Sequence, residues 1–217
     1  MDDPQGYGLI EYAYSLMARD CGIDISECRL FKENGRSHFM TRRFDRLATG
    51  EKLHMQSLCA LAHYDFNMAG AYSYEQAFMV MRQLKLPMQA IEQQFRRLAF
   101  NIVARNQDDH VKNIAFLMNK AGEWSLSPAF DMTYSYNPLG TWTASHQMTM
   151  NGKRDNLTLE DFNACAKTAS MKRGRAAKIV AEVQASVSNW PSFAEQVGVP
   201  DSVRDKINNT LNLKPYS

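Results

Sequence analysis

An amphipathic pattern that runs from Met88 to Ala104 constrains the fold more than any other feature of the chain. Charged and amide side chains occupy one face of this segment, and apolar side chains recur at helical spacing on another: Ile91, Phe95, Leu98, Ile102 and Val103. At about 1.5 Å per residue, a helix of this length is roughly 25 Å long and can cross a domain. Pro87 suits its first turn, because proline lacks an N–H that would stay unpaired there. The pattern predicts one long helix that other elements must cover.

This helix leads directly into an Asp-rich segment, Asn106–Asn113, which we call the aspartate loop. Four residues separate Asp108 from Asn113, as in phosphoryl-transfer loops where an aspartate accepts a hydroxyl proton and an asparagine holds Mg²⁺. The residues after Asn113 read as a strand, a turn at Asn119–Gly122 and a returning strand. Such a hairpin brings Asp131 back near Asn113, where its carboxylate supplies a further oxygen ligand.

The spacing suggests a role for each polar residue of this segment. Asp108 is the expected base, and Asn113 and Asp131 are the expected ligands of Mg²⁺, which prefers oxygen ligands and keeps several waters. Asp109 is a rival for the base, but it stands too close to Asn113 for the same pattern. Lys112 neutralises a phosphate oxygen or pairs with an aspartate, and His110 holds the loop through hydrogen bonds.

Two other interpretations of the aspartate loop remain open from the residues alone. Asn and Asp favour turns, so the segment could be a solvated turn after a long helix. Alternatively, the ligands of a metal hydrolase could be Asp108, Asp109, His110 and Asp131. The absence of a second histidine nearby weakens this interpretation.

The N-terminal part of the chain predicts a helix followed by a hairpin. Leu9–Cys21 has apolar residues at helical spacing and ends at Gly22, which suits a left-handed cap. Arg29–Lys32 and Ser37–Phe44 read as strands on either side of an Asn-Gly turn, the strongest short-range hairpin signal.

The rest of the chain is mainly helical in its patterning. The residues Met132–Asn156 predict an irregular excursion. Trp190-Pro191 is expected to close the predicted helix Arg175–Ser188. The predicted helices are Leu53–Ala62, Tyr74–Leu86, a capped helix from Thr158 to about Thr168, Arg175–Ser188, and short helices from Ser192 and Asp201. The sum predicts an α+β, mainly helical fold, with a helix and hairpin in residues 1–46 and a helical region in residues 47–217.

Composition narrows the class of protein without naming a function. The apolar content of 45% and the charged content of 22% are those of a globular protein, and the net charge of +2 does not favour contact with nucleic acid. The basic cluster around Lys172 and Arg173 is expected to be solvated surface. Four cysteines without metal-ligand spacing indicate reduced thiols, and no signal peptide or membrane span is evident, so a cytoplasmic protein is expected.

Three segments resemble the C-terminal domain of HipA-like serine/threonine protein kinases, the toxins of bacterial toxin–antitoxin pairs. They are Phe39–Arg46 (FMTRRFDR), Asp108–Asn113 (DDHVKN) and Leu126–Asp131 (LSPAFD). The order of these segments and the helices between them resemble that family over nearly the whole chain. The resemblance implies a protein-kinase-like larger lobe in residues 47–217 and a remnant of the small lobe in residues 1–46, which leads into the hinge. It also implies Asp108 as base and Mg²⁺ bound by Asn113 and Asp131.

The same resemblance implies a site for ATP. The strand that ends in Arg42-Arg43-Phe44 leads to the position of the adenine, with Arg42 in place of the family's usual glutamate. Glu11 stands where the family's helix presents a glutamate to the ATP-binding lysine. In the family, that lysine, the phosphate-covering loop and an N-terminal segment all precede this helix. We therefore expect little or no kinase activity from this chain alone.

The resemblance also implies partners: an antitoxin-like DNA-binding protein, the missing N-terminal kinase segment, and a protein substrate, which in relatives can be an aminoacyl-tRNA synthetase. A different class of function stays open beside the kinase. The chain could be a non-catalytic kinase-like binding module for an antitoxin-like partner.

Overall fold

The computed structural model describes residues 6–214 and residue 216. Within this part of the chain, no helix is both long and apolar enough to span a membrane. The helices are α1 (Tyr7–Asp20), α2 (Leu58–Ala62), α3 (Tyr74–Gln83), α4 (Met88–Val103), α5 (Leu159–Thr168), α6 (Arg175–Val187), α7 (Trp190–Val197) and α8 (Asp201–Asn208). The strands are β1 (Cys28–Glu33), β2 (Arg36–Thr41), β3 (His54–Ser57), β4 (Ala115–Met118) and β5 (Trp124–Leu126). The α+β, mainly helical fold is confirmed.

Helix α4 lies at the centre of the molecule, as its amphipathic pattern predicts. Its predicted apolar face is buried, and from Arg97 to its last residue no side chain of the helix is exposed. Helix α6 packs along α4, and α3 contacts it as well. A helix buried along its C-terminal half is a rigid support for the segment that follows it, which is the aspartate loop.

Both predicted hairpins are confirmed. Strands β1 and β2 pair antiparallel around Asn34-Gly35, whose φ angles of 49° and 75° are the left-handed values that a two-residue hairpin turn needs. Strands β4 and β5 pair antiparallel, with Phe116 opposite Leu126. The β4–β5 hairpin turns the chain back after the aspartate loop, as expected.

The predicted helix Leu53–Ala62 is wrong in its first half. Residues His54–Ser57 form strand β3, which pairs antiparallel with β4 to make a three-stranded sheet. Only Leu58–Ala62 is helical, and the Ser57 hydroxyl caps it by accepting from the Ala60 N–H. The strand partner is distant in sequence, and pairing with it overrides the local helical pattern.

The C-terminal helices differ from expectation at one junction. Trp190-Pro191 begins α7 rather than closing the preceding helix, because proline fits the first helical turn. The capped helix α5 is confirmed: the Thr158 hydroxyl accepts from the Asp161 N–H, and the Asp161 carboxylate accepts from the Thr158 N–H. Burial raises the pKa of Asp161, but hydrogen bonds from Asn151, Lys153 and Thr158 outweigh it and bring that pKa to about 2. Asp161 thereby fastens the end of the irregular excursion to α5.

Gly8 gives a test of how α1 packs on the hairpin. A β-carbon at this position would overlap the backbone carbonyl of Ser37 and press on the Phe39 nitrogen in β2. Alanine ordinarily favours a helix over glycine, but here Gly8→Ala should lower the free energy of unfolding by about 1–3 kcal/mol, because backbone atoms cannot move aside cheaply. Urea denaturation measures the change. A variant as stable as the wild type would contradict the close packing of α1 on β2.

Candidate active site

The aspartate loop is anchored to the end of α4. Arg105 has a left-handed φ of 59°, which reverses the chain, and the Asn106 N–H then donates to the Asn101 carbonyl at 2.9 Å. The Asn106 amide group donates to the Asn101 side chain at 3.0 Å and to the Asp131 backbone carbonyl at 3.2 Å. Asn106 therefore connects the helix to the segment that carries Asp131.

Asp109 is the buried anchor of this loop. Its carboxylate accepts hydrogen bonds from the Tyr74 hydroxyl at 2.6 Å and the Gln147 N–H at 2.7 Å, and it lies 2.9 Å from His146 Nδ1. Burial raises the pKa of Asp109, but His146 and these hydrogen bonds outweigh it, so that the pKa is lowered overall. A carboxylate so enclosed cannot reach a substrate or a metal ion. The rival interpretation of Asp109 as the base, and the hydrolase interpretation that uses it as a ligand, are both disfavoured.

Asp108 lies next to Asp109 but has a different environment. Its side chain is 46% exposed, and its backbone N–H donates to the Ser135 hydroxyl at 2.9 Å. Partial burial raises the pKa of the Asp108 carboxyl; His110 opposes this, and the carboxylates of Asp131 and Asp109 raise the pKa further. A carboxylate with a raised pKa is a better proton acceptor near neutral pH, which suits a general base.

Asn113 and Asp131 both lie close to Asp108. The Asn113 amide group donates to the Asp108 backbone carbonyl at 2.9 Å, which leaves its own amide oxygen for a cation. Asp131 is exposed, and its negative charge raises the pKa of Asp108. One carboxylate oxygen, from Asp131, and one amide oxygen, from Asn113, suit a Mg²⁺ ion that keeps several waters. Among the described residues, no cluster of three or more His, Cys, Asp or Glu side chains could hold a metal alone.

The segment before Asp131 is fixed on three sides. The Arg97 guanidinium donates to the Ser127 carbonyl at 2.7 Å, the Ser127 N–H donates to the Ala115 carbonyl at 3.0 Å, and the Ala129 N–H donates to the Asp24 carbonyl at 2.7 Å. Burial lowers the pKa of Arg97 to about 10, with Asp24 opposing the shift, so the guanidinium is charged at neutral pH. The position of Asp131 is thus set by the core.

His110 and Lys112 line the loop on the side of Phe66. The His110 Nε2 atom lies 3.9 Å from an Asp108 carboxylate oxygen, and the Lys112 ammonium lies 4.1 Å from the centroid of the Phe66 ring. Lys112 forms no ion pair with any residue that the structure describes. Of its two expected roles, pairing with an aspartate is therefore not what the structure contains.

The three residues expected near the nucleotide lie in the N-terminal region. Arg42 follows β2, with its N–H donating to the Glu27 carbonyl at 2.9 Å, and lines a cleft of about 280 Å³ with Arg29 and Met40. The Phe44 ring packs 5.6 Å from the ring of Phe130, the residue before Asp131. Glu11 lies half-buried on α1.

Sequence reasoning missed the residues that hold the loop in place. Tyr74 and His146 contact Asp109 from 35 and 37 residues away, so no local spacing could reveal them. Asn101 donates to the Tyr74 hydroxyl at 3.1 Å. A polar residue on the buried part of α4 was a usable signal, because buried polar groups need partners.

Comparison with known proteins agrees with this architecture. The family described as the HipA-like C-terminal domain matches residues 2–190. The Sinorhizobium fredii protein Y4mE, which carries a provisional kinase name, is 24% identical over 209 residues, a match that covers 90% of this chain and 42% of that protein.

Two solved structures share the fold. HipA of Shewanella oneidensis MR-1, determined in complex with HipB and its operator DNA, has a TM-score of 0.77 at 14% identity, over 95% of this chain and 54% of that one. The Helicobacter pylori proinflammatory kinase CtkA has a TM-score of 0.59 at 10% identity, over 96% of this chain and 85% of that one.

These matches define an α+β domain that shares its fold with HipA and with CtkA. The chain belongs to the HipA-like C-terminal domain family, as its three motifs predict. It spans about half the length of HipA and of Y4mE.

The neighbouring aspartates should respond oppositely to neutral substitution. Asp109→Asn should lower the free energy of unfolding by about 3 kcal/mol at pH 7, because it removes the charge of a buried hydrogen-bonded pair. Asp108→Asn, the matched control, should cost nothing or stabilise the fold, since the raised pKa of Asp108 means that its charged form is disfavoured there. Urea denaturation of both variants measures the contrast, and equal destabilisation would contradict it.

The contribution of Asp109 to the free energy of unfolding should also depend on pH. Its pKa in the folded protein lies below the ordinary value of 3.8. The stabilisation is therefore fully present above that value and is lost as the pH falls through the folded-state pKa. The stability gap between the wild type and Asp109→Asn should narrow in acid; a gap that widened below pH 4 would have the wrong sign.

Proposed function

We propose that this chain is the catalytic lobe of a HipA-like serine/threonine protein kinase, which transfers the γ-phosphate of Mg-ATP to a protein hydroxyl. The observation that supports it best is that a half-exposed Asp108 with a raised pKa lies beside Asn113, whose amide group donates to its backbone carbonyl, and near the carboxylate of Asp131. Phosphoryl transfer needs little more from a protein than an oriented base and a bound metal ion.

Asp108 is the proposed base. Its backbone is fixed by Ser135 and Asn113, so the carboxylate is presented from a rigid turn rather than from a mobile loop. Asp108 accepts the proton of the acceptor serine or threonine as the hydroxyl oxygen bonds to the γ-phosphorus; the bond between that phosphorus and the β–γ bridging oxygen breaks, and ADP leaves. Partial burial, with a smaller effect of the neighbouring carboxylates, raises the pKa of this carboxyl group and so favours proton acceptance.

Asn113 and Asp131 are the proposed magnesium ligands. A bound ion would be held by these two side chains and would offset the negative charge of the ATP phosphates. It also fits the local electrostatics, because a dication beside Asp131 relieves the repulsion that Asp131 exerts on Asp108. Lys112 adds a positive charge for a phosphate oxygen, and His110 lies beside the Asp108 carboxylate.

The nucleotide is proposed to lie between the β1–β2 hairpin and the metal ligands Asn113 and Asp131. Residues 1–46 then act as the part of the small lobe that leads into the hinge. The contact of Phe44 with Phe130 supports this, because it joins the hinge segment to the residue before Asp131. Arg42 contributes its backbone carbonyl to adenine binding, because its N–H already donates to the Glu27 carbonyl, and Glu11 orients the ATP-binding lysine of the small lobe.

A protein partner is part of the proposal. Shewanella HipA was determined bound to HipB and operator DNA, which supports an antitoxin-like DNA-binding partner for this family member. The proposed acceptor is a second protein, and an aminoacyl-tRNA synthetase is the candidate that the family resemblance implies. The alternative, a non-catalytic module that only binds such a partner, differs in making Asp108 dispensable.

The function is tested by measuring phosphate transfer from labelled ATP by the full-length gene product. Two acceptors are used: the gene product itself, by autophosphorylation, and added proteins from a cell extract. Asp108→Asn should reduce incorporation into serine and threonine by about 100-fold or more, because a positioned base contributes that much. Asp155→Asn, at an exposed aspartate outside the site, is the control and should be unchanged. Equal incorporation by wild type and Asp108→Asn would favour the non-catalytic module.

A further inference from the structure

Phe66 is a large apolar residue in an exposed place beside the candidate site. It lies in residues 63–73, between α2 and α3, which we call the Phe66 loop, and it is 39% exposed. Its ring contacts two side chains of the aspartate loop: the Lys112 ammonium is 4.1 Å from the ring centroid, and the His110 ring lies edge-on at 6.0 Å. An exposed phenylalanine that touches two polar residues of the aspartate loop calls for an explanation beyond packing.

The Phe66 loop is ordered by its own hydrogen bonds. The Asp65 N–H donates to the Tyr72 hydroxyl at 2.8 Å, and the Asn67 N–H donates to the Asp65 carboxylate at 3.0 Å. The rings of Tyr64 and Tyr72 stack with centroids 4.2 Å apart. These contacts flank Phe66 on both sides, so its position is defined by the loop.

The Phe66 loop and the aspartate loop share the same supports. The Gly70 N–H donates to the carbonyl of Gln147, whose own N–H donates to Asp109. At the other end, the Tyr64 N–H donates to the Cys59 carbonyl, and the Cys59 N–H donates to the Val111 carbonyl in the aspartate loop. Phe66 therefore keeps a fixed relation to Lys112 and His110.

The charge of Lys112 forms no ion pair with a carboxylate among the described residues, and its ammonium group lies over the face of the Phe66 ring. A lysine side chain has many rotamers, and restricting it to one of them when a ligand binds carries an entropic cost. A ring face attracts an ammonium group and still leaves N–H donors free, so a lysine can rest on the ring and bind a phosphate oxygen at once.

We infer that Phe66 is a positioning residue: its ring holds the Lys112 ammonium beside the aspartate loop, ready for the anionic phosphoryl group during transfer. The inference rests on the proposed kinase function, which it deepens. It names a residue that acts through Lys112 and does not itself touch ATP or the acceptor.

The contact itself is tested by nuclear magnetic resonance on this chain, without any need for activity. A ring over Lys112 shifts the resonances of its ε-methylene protons upfield. Phe66→Leu should return them to the position of an ordinary solvated lysine, and Phe66→Tyr should retain the shift. Met68→Ala removes a neighbouring exposed apolar side chain of the same loop and should leave the shift unchanged. Lys112 resonances that ignore Phe66→Leu would overturn the inference.

The role in transfer is tested by a double-mutant cycle on kcat in the full-length gene product. Phe66→Leu should lower kcat by about two- to fivefold, the value of an exposed cation–π contact, and should have no further effect when Lys112 is already replaced by methionine. Phe66→Tyr should restore kcat. Additive effects of the two substitutions, or a change in the KM for the protein acceptor alone, would show that Phe66 acts elsewhere.

The proposed kinase function and the positioning role of Phe66 are contradicted by different results. Activity that survives Asp108→Asn removes the proposed kinase function, and with it the positioning role. Activity that depends on Asp108 but shows no coupling between Phe66 and Lys112 removes the positioning role alone.

Discussion

The arrangement of the site depends on the buried carboxylate of Asp109. This one group accepts from Tyr74 on α3 and from the Gln147 N–H, and it pairs with His146 in the irregular excursion. Tyr74 in turn accepts from Asn101 on α4. A buried charge is tolerated only when it is paired and fully hydrogen-bonded, so these partners must assemble around it together. Two helices and the excursion are thereby fixed to the aspartate loop at a single point.

The consequence for chemistry is a division of labour between adjacent residues. With Asp109 held inside, Asp108 is directed to the partly exposed side, where burial and neighbouring carboxylates raise its pKa. Environment rather than residue type assigns one aspartate to structure and the other to candidate proton transfer. Asp131 completes the pattern: it has a left-handed φ of 56°, a conformation that aspartate tolerates better than most residues, in a segment held by Arg97.

The parts of the fold that follow from local sequence were predictable, and the parts that depend on distant partners were not. Helix α4 and the turn at Asn34-Gly35 are encoded by spacing and by residues that prefer left-handed φ. Strand β3 was missed because its partner β4 lies far along the chain. In the site, spacing favoured Asp108 over Asp109, and the burial of Asp109 agrees with that choice. His146 was invisible, because only the tertiary fold brings it to the loop.

The central claim is that Asp108, Asn113 and Asp131 form one metal-assisted site, and the pKa of Asp108 tests it most directly. Carbon-13 resonances of the Asp108 carboxyl can be followed against pH in this chain, with and without millimolar Mg²⁺. Without the ion, the pKa should lie above 3.8, and Mg²⁺ should lower it because the cation offsets the charge of Asp131. Asp131→Asn should abolish the effect of Mg²⁺. An Asp108 pKa that starts at its ordinary value, or that ignores Mg²⁺, would contradict the account.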